Sequence, residues 1–159
     1  MKFAVKQRLV SMGDDFDIRN EHGKKVYFVD GAAFSFVDNL IVKDMGKNEV
    51  CRIKKKMFTF IQTYTITKKG QLLATVKKRP FTFRTRFHLE IPGPGTYEIV
   101  GNLFRWDYAI NRDGREVAKV SKKILAMSDS YGVEIKDDEN PVVILAVAIV
   151  IDMVLHRGK

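Results

Sequence analysis

Along residues 142–155 a single polar side chain, Asp152, interrupts an otherwise apolar run, and the flanks carry the signals of a helix. Asn140 suits the N-cap and Pro141 the first helical position, while Asp137, Asp138 and Glu139 set negative charge at the positive end of the dipole. His156, Arg157 and Lys159 complement the other end, and Gly158 can terminate it. Val142, Val143, Ile144, Val147, Ile149, Val150, Ile151 and Val154 are β-branched and also fit a buried strand, but length and caps favour the helix. At ~1.5 Å per residue the run reaches roughly 21 Å, short of the ~30 Å core of a bilayer. A helix apolar all the way round must then be enclosed by a bundle of helices or by a closed sheet.

The preceding sequence favours the sheet. A segment recurs in which a short alternating strand meets a polar turn containing glycine, followed by a second strand with apolar residues three and six positions after that glycine. Phe16, Ile18, Gly23, Val26 and Val29 form one copy, Tyr64, Ile66, Gly70, Leu73 and Val76 another, and Tyr108, Ile110, Gly114, Val117 and Val120 a third. Leu40, Val42, Gly46, Val50 and Ile53 make a looser fourth, one residue longer after the glycine. These read as β-hairpins whose glycine takes the positive-φ turn position. Further strands are expected at residues 3–10, 33–37, 81–91, 96–100 and 133–135, with turns at Pro92-Gly93-Pro94-Gly95 and Gly101-Asn102. The expected architecture is mostly β: about a dozen antiparallel strands closed into a barrel around a central hydrophobic C-terminal helix, which removes the sheet's edges and encloses the helix together.

Composition agrees with one domain spanning 1–159. The chain is 45% hydrophobic, and no Pro/Ser/Gly linker or low-complexity tract divides it. Met1-Lys2-Phe3 leads directly into alternating sequence without a signal-peptide apolar region, and Cys51 has no second cysteine to pair with. The expectation is a cytoplasmic protein that can visit membranes peripherally without spanning them.

The tail carries a family resemblance. Val120-Ser121-Lys122-Lys123, then Ser128-Asp129-Ser130-Tyr131-Gly132-Val133-Glu134-Ile135, then the apolar helix with Asp152 toward its end, resemble the LURP-one-related family. The resemblance continues through Tyr108-Ala109-Ile110-Asn111-Arg112-Asp113-Gly114, Phe16-Asp17-Ile18 and Val5-Lys6-Gln7-Arg8, and so covers essentially the whole chain. It implies the fold shared with the tubby C-terminal domain and phospholipid scramblases, a twelve-stranded barrel threaded by a hydrophobic C-terminal helix. That fold coincides with the one read from the residues.

Nothing in the residues points to catalysis, a metal or another cofactor. His22 falls in a turn, His88 in a strand and His156 at the helix end, without metal-ligand spacing, and no GxSxG, Walker, dinucleotide or HExxH motif is present. Cys51, beside Val50 and Ile53, reads as a small core residue rather than a nucleophile. Asp152, as a carboxylate in the core, must be paired, hydrogen-bonded or protonated. It fits an acid in a small-ligand pocket or a structural group at the barrel mouth bonded to backbone or a basic residue, and its place one turn from the helix end favours the second.

Charge supplies the functional signal. Residues 43–86 hold thirteen Lys/Arg against two acids, a net of +11, while the rest of the chain is at −2, so the whole +9 originates in one block. Strand alternation over 81–91 puts Phe81, Phe83, Phe87, Leu89 and Ile91 on one face and Thr82, Arg84, Arg86, His88 and Glu90 on the other, and Arg52, Lys54 and Lys56 share a face in the same way. Lys54, Lys56, Lys77, Lys78, Arg84 and Arg86 are the candidate binding residues. Anionic lipid head groups and nucleic-acid phosphates would both be attracted. The resemblance favours lipid, since it implies tubby-like phosphoinositide binding through a basic patch and scramblase-like action at membranes. Phe58, Phe60, Phe81 and Phe83 read mostly as core residues, which leaves few stacking platforms and disfavours nucleic acid. A protein-interaction scaffold is the main alternative.

Overall fold

A computed structural model describes residues 1–7, 16–31, 39–79, 86–125 and 130–156. Twelve strands are formed: β1 Lys2–Gln7, β2 Phe16–Asn20, β3 Lys25–Gly31, β4 Asn39–Asp44, β5 Glu49–Lys55, β6 Thr63–Lys68, β7 Gln71–Arg79, β8 Arg86–Glu90, β9 Tyr97–Asn102, β10 Asp107–Arg112, β11 Arg115–Ser121 and β12 Ser130–Ile135. Each pairs antiparallel with its neighbours in sequence, and β1 pairs with both β2 and β12, which closes the barrel. Every described strand has a partner on each side, although β8 and β9 meet over only two residue pairs.

The helix α1, Pro141–His156, runs through this barrel, and every residue of 143–153 is buried. Its start is the one read from sequence. Asn140 Oδ1 accepts from the amides of Val142 and Val143 at 3.0 and 3.4 Å, satisfying two donors that have no partner within the helix. The strands supply the enclosing wall with alternate residues, among them Val5, Ile18, Val29, Ile53, Ile66, Val76, Ile110 and Val133, each at most 1% exposed.

The recurring glycine segments are hairpins, and each carries a β-bulge. Residues three apart fall on opposite faces of a regular strand, so the two apolar positions after the glycine could not both be buried without an irregularity. Pairing shifts between Ile18 and Arg19, Val42 and Lys43, Ile66 and Thr67, and Ile110 and Asn111. The extra residues are Val26, Val50, Leu73 and Val117, the first of the two recurring apolar positions after the glycine in each copy, and all four pack against the core. The bulges also add the local twist that a closing sheet needs. Gly23, Gly70 and Gly114 have positive φ as expected, whereas in the fourth hairpin the left-handed position belongs to Lys47 (φ 66°) rather than Gly46. The added residue in that turn moves the bend one position on.

Other expectations shift at their boundaries. β12 starts three residues before the expected 133–135. Positions 8–10 of the first expected strand, the whole strand at 33–37 and positions 81–85 lie outside the described residues.

The two barrel ends differ. Where α1 begins, the strands turn tightly, and Arg112 clamps the helix entry through Asp138 at 2.9 Å and Glu139 at 2.6 Å. Tyr97 Oη donates to the same buried Glu139 at 3.1 Å. Where α1 finishes lie the β5–β6 connection, residues 56–62, and the 3-10 turn Leu103–Arg105 that leads into β10.

Candidate anionic-surface interface

The basic block forms β5 to β8 and the turns around them, and register decides which cations share a surface. Inward positions Ile53, Ile66, Val76 and Leu89 are buried, so the residues alternating with them face outward. Lys54 lies opposite Thr65, Thr65 opposite Thr75, and Thr75 opposite Glu90. One row nearer the loop-bearing end, the amide of Lys56 donates to Thr63 O at 2.8 Å, Thr63 lies opposite Lys77, and Lys77 opposite His88. The last row sets Arg79 against Arg86. With ~6.6 Å between alternate residues and ~4.8 Å between strands, these cations form one outer patch.

The register thus puts Lys54, Lys56, Lys77 and Arg86 on one outward face. Lys78 does not join them: it lies opposite the buried Phe87, on the inward-facing side of β7 at the barrel rim. Arg84 lies outside the described residues. Arg79 belongs to the patch, with Nη2 3.5 Å from His88 Nδ1, and is the member the sequence reading passed over.

Counter-charges are few. Arg52 is bound by Glu49 at 3.0 and 3.1 Å, a pair that raises the guanidinium pKa through hydrogen bonding and removes Arg52 as a free cation. Lys77 and His88 share Glu90 at 3.8 and 3.0 Å. Among the described residues no carboxylate lies within ion-pair distance of Lys54, Lys56 or Arg86. Like charges directly opposite on a sheet destabilise it, so the Arg79 and Arg86 pair gains from an external anion.

Two aromatic assignments are corrected. Phe58 and Phe60, expected in the core, are 101% and 108% exposed, because they fall in the β5–β6 connection rather than in either strand. Phe81 and Phe83 lie outside the described residues. The shortage of exposed rings that spoke against nucleic acid is therefore removed at this loop.

Cys51 is fully buried in β5, and burial pushes its thiol pKa up to about 12, leaving it inert. Asp152, 7% exposed, accepts from Trp106 Nε1 at 3.1 Å. The indole of Trp106 is thus one partner of this carboxylate, and His156 feels its charge. Trp106 in turn stacks on His156 with centroids 3.7 Å apart, and Lys122 Nζ sits 4.1 Å from its ring. Burial lowers the His156 pKa, against the opposing pull of Asp152. This cluster plugs the barrel end and fixes the helix C-terminus.

The sequence profile of the LURP-one-related family matches residues 1–152. Protein YxjI of Bacillus subtilis (strain 168) is 31% identical over 160 residues, covering 100% of this chain and 96% of that protein. The X-ray structure of a protein from Arabidopsis thaliana superposes with a TM-score of 0.68 at 15% identity, covering 96% of this chain and 91% of that one. At that identity the likeness concerns the fold. No helix among the described residues is long and apolar enough to cross a membrane.

Proposed function

The chain belongs to the LURP-one-related family, and on that premise we propose that it is a non-enzymatic, tubby-like domain whose basic face docks on membranes displaying anionic phospholipid head groups, phosphoinositides among them. The observation that carries this reading is the outward-facing set of Lys54 in β5, Lys56 just after it, Lys77 and Arg79 in β7 and Arg86 in β8, with Glu90 and, opposite His88, Glu98 the carboxylates beside them among the described residues. Cations held near an anionic leaflet contribute roughly 1 kcal/mol each. A ligand inside the barrel has little support, because side chains of residues 143–153 occupy the space where a ligand-binding barrel holds its cargo. Cytoplasmic residence with peripheral membrane visits accompanies the proposal, and a protein-interaction scaffold is the alternative if no lipid binds.

Co-sedimentation with neutral and anionic vesicles from 0.1 to 1 M salt tests the reading. Binding should require anionic lipid and fade as the Debye length shortens from ~10 to ~3 Å. Reversing Arg79 and Arg86 to Glu should leave folding intact and weaken binding on the order of tenfold or more. Wild-type protein that ignores anionic vesicles at low salt defeats the proposal. A nucleic-acid titration run alongside gives the competing outcome, which the exposed rings of Phe58 and Phe60 keep in play.

A further inference from the structure

The patch ends in an apolar tip. Beyond the end of β5, which contributes Lys54 and Lys55, and the adjoining Lys56, the connection reads Met57-Phe58-Thr59-Phe60-Ile61. All five residues are exposed, and the two phenyl rings have no covering neighbour at all. A folded protein leaves single apolar residues on its surface freely, but four large ones in a five-residue projection mark a contact site. The backbone is shaped to hold them there. Phe58 takes a left-handed φ of 59°, a conformation a bulky side chain rarely adopts, and the base of the connection is pinned by the amide of Lys56 on Thr63 O at 2.8 Å and by Thr63 Oγ1 on Ile61 O at 2.8 Å.

We propose that this tip is a membrane-inserting finger: Phe58 and Phe60 enter the head-group and acyl boundary of an anionic bilayer while Lys54, Lys56 and Lys77 engage the phosphates around the point of entry. The inference rests on the lipid-docking reading and adds the site and depth of contact. Complementarity favours a bilayer over single-stranded nucleic acid. Stacking proteins lay bases along a positively charged groove with polar groups at hand, whereas this tip is convex, carries aliphatic Met57 and Ile61 beside the rings, and offers only Thr59 as a side-chain hydrogen-bonding group. Cations beside the base of an apolar projection instead match the layered chemistry of a leaflet, phosphate outside and hydrocarbon within.

The test uses vesicles of phosphatidylcholine with and without phosphatidylserine. Phe58→Ser with Phe60→Ser removes only exposed side chains, so the fold and the cations persist; affinity for anionic vesicles should fall at least about tenfold with the salt dependence retained. Thr59→Cys labelled with an environment-sensitive fluorophore, the buried Cys51 remaining unlabelled, should report transfer to an apolar medium on vesicle addition. Wild-type protein that binds the anionic vesicles while the double Ser variant binds equally, and the label stays in water, overturns the finger and leaves surface docking intact. Wild-type protein that binds no anionic vesicle overturns both. Loss of oligonucleotide binding in the Ser variant, without any vesicle binding, reassigns the tip to nucleic acid.

Discussion

Truncation of the axial helix should destabilise the fold from every direction. Ile144, Leu145 and Val150 are each at most 1% exposed. At ~100° per residue they point roughly 0°, 100° and 240° around the axis, toward different parts of the barrel wall. Replacing Ile144 or Leu145 by Ala removes about three methylene equivalents, near 2.4 kcal/mol at ~0.8 each, and the cavity left behind brings the total into the range of about 2–5 kcal/mol. Val150→Ala removes about two, for roughly 1.6 kcal/mol before the cavity contribution. Against a total of about 5–15 kcal/mol, each change takes a large share of the stability. Equilibrium urea unfolding should show all three midpoints shifted well below wild type with the slope unchanged. An amphipathic helix lying on a sheet would lose stability on one stripe only. If any one of the three variants unfolds within about 0.5 kcal/mol of wild type, that side of the helix is not enclosed and the axial placement is wrong.

Two further outcomes follow from close contacts and burial. A Cβ on Gly132 would collide with the carbonyl oxygen and side chain of Ile124, so Gly132→Ala should cost about 1–3 kcal/mol and lower Tm by several degrees, and an unchanged Tm would show that the segment around Ile124 yields. Because burial lowers the folded pKa of His156 below the unfolded ~6.5, the unfolded chain takes up the proton first: stability should decline as pH falls from about 6.5 through the folded pKa, and the decline should be shallower in His156→Gln, so identical pH profiles would mean that this ring does not titrate differently on folding.

The fold was legible because its signals are local. Period-two alternation, glycine turns and the Asn140-Pro141 start each act within a few residues, and together they specify hairpins followed by one helix without a polar side. The bulges at Val26, Val50, Leu73 and Val117 were present in the sequence only as a spacing that a flat strand cannot satisfy. The basic patch was half legible. Charge density and alternation bring out Lys54, Lys56, Lys77 and Arg86, but the neutralisation of Arg52 by Glu49 and the meeting of Arg79 with Arg86 depend on side-chain reach and cross-strand register. Phe58 and Phe60 were misassigned because alternating apolar residues usually bury, and no glycine or proline marks the point at which the chain leaves the sheet. The three lysines immediately before Met57 were the available signal, since a strand entering a core seldom begins that way.

The four bulges give the barrel wall an allowance in chain length. Excising Val117 would leave Ile110 opposite Ala118 and Asn111 opposite Glu116 in an unbroken ladder, with no other side chain changing faces. Excising a residue elsewhere in β11 would turn the rest of the strand inside out. Val26, Val50 and Leu73 stand in the same relation to their own hairpins. Insertions and deletions can therefore accumulate at one rim of the wall while the lining of the bore keeps its order, so that divergent sequences can vary in strand length and still close around the same axial helix.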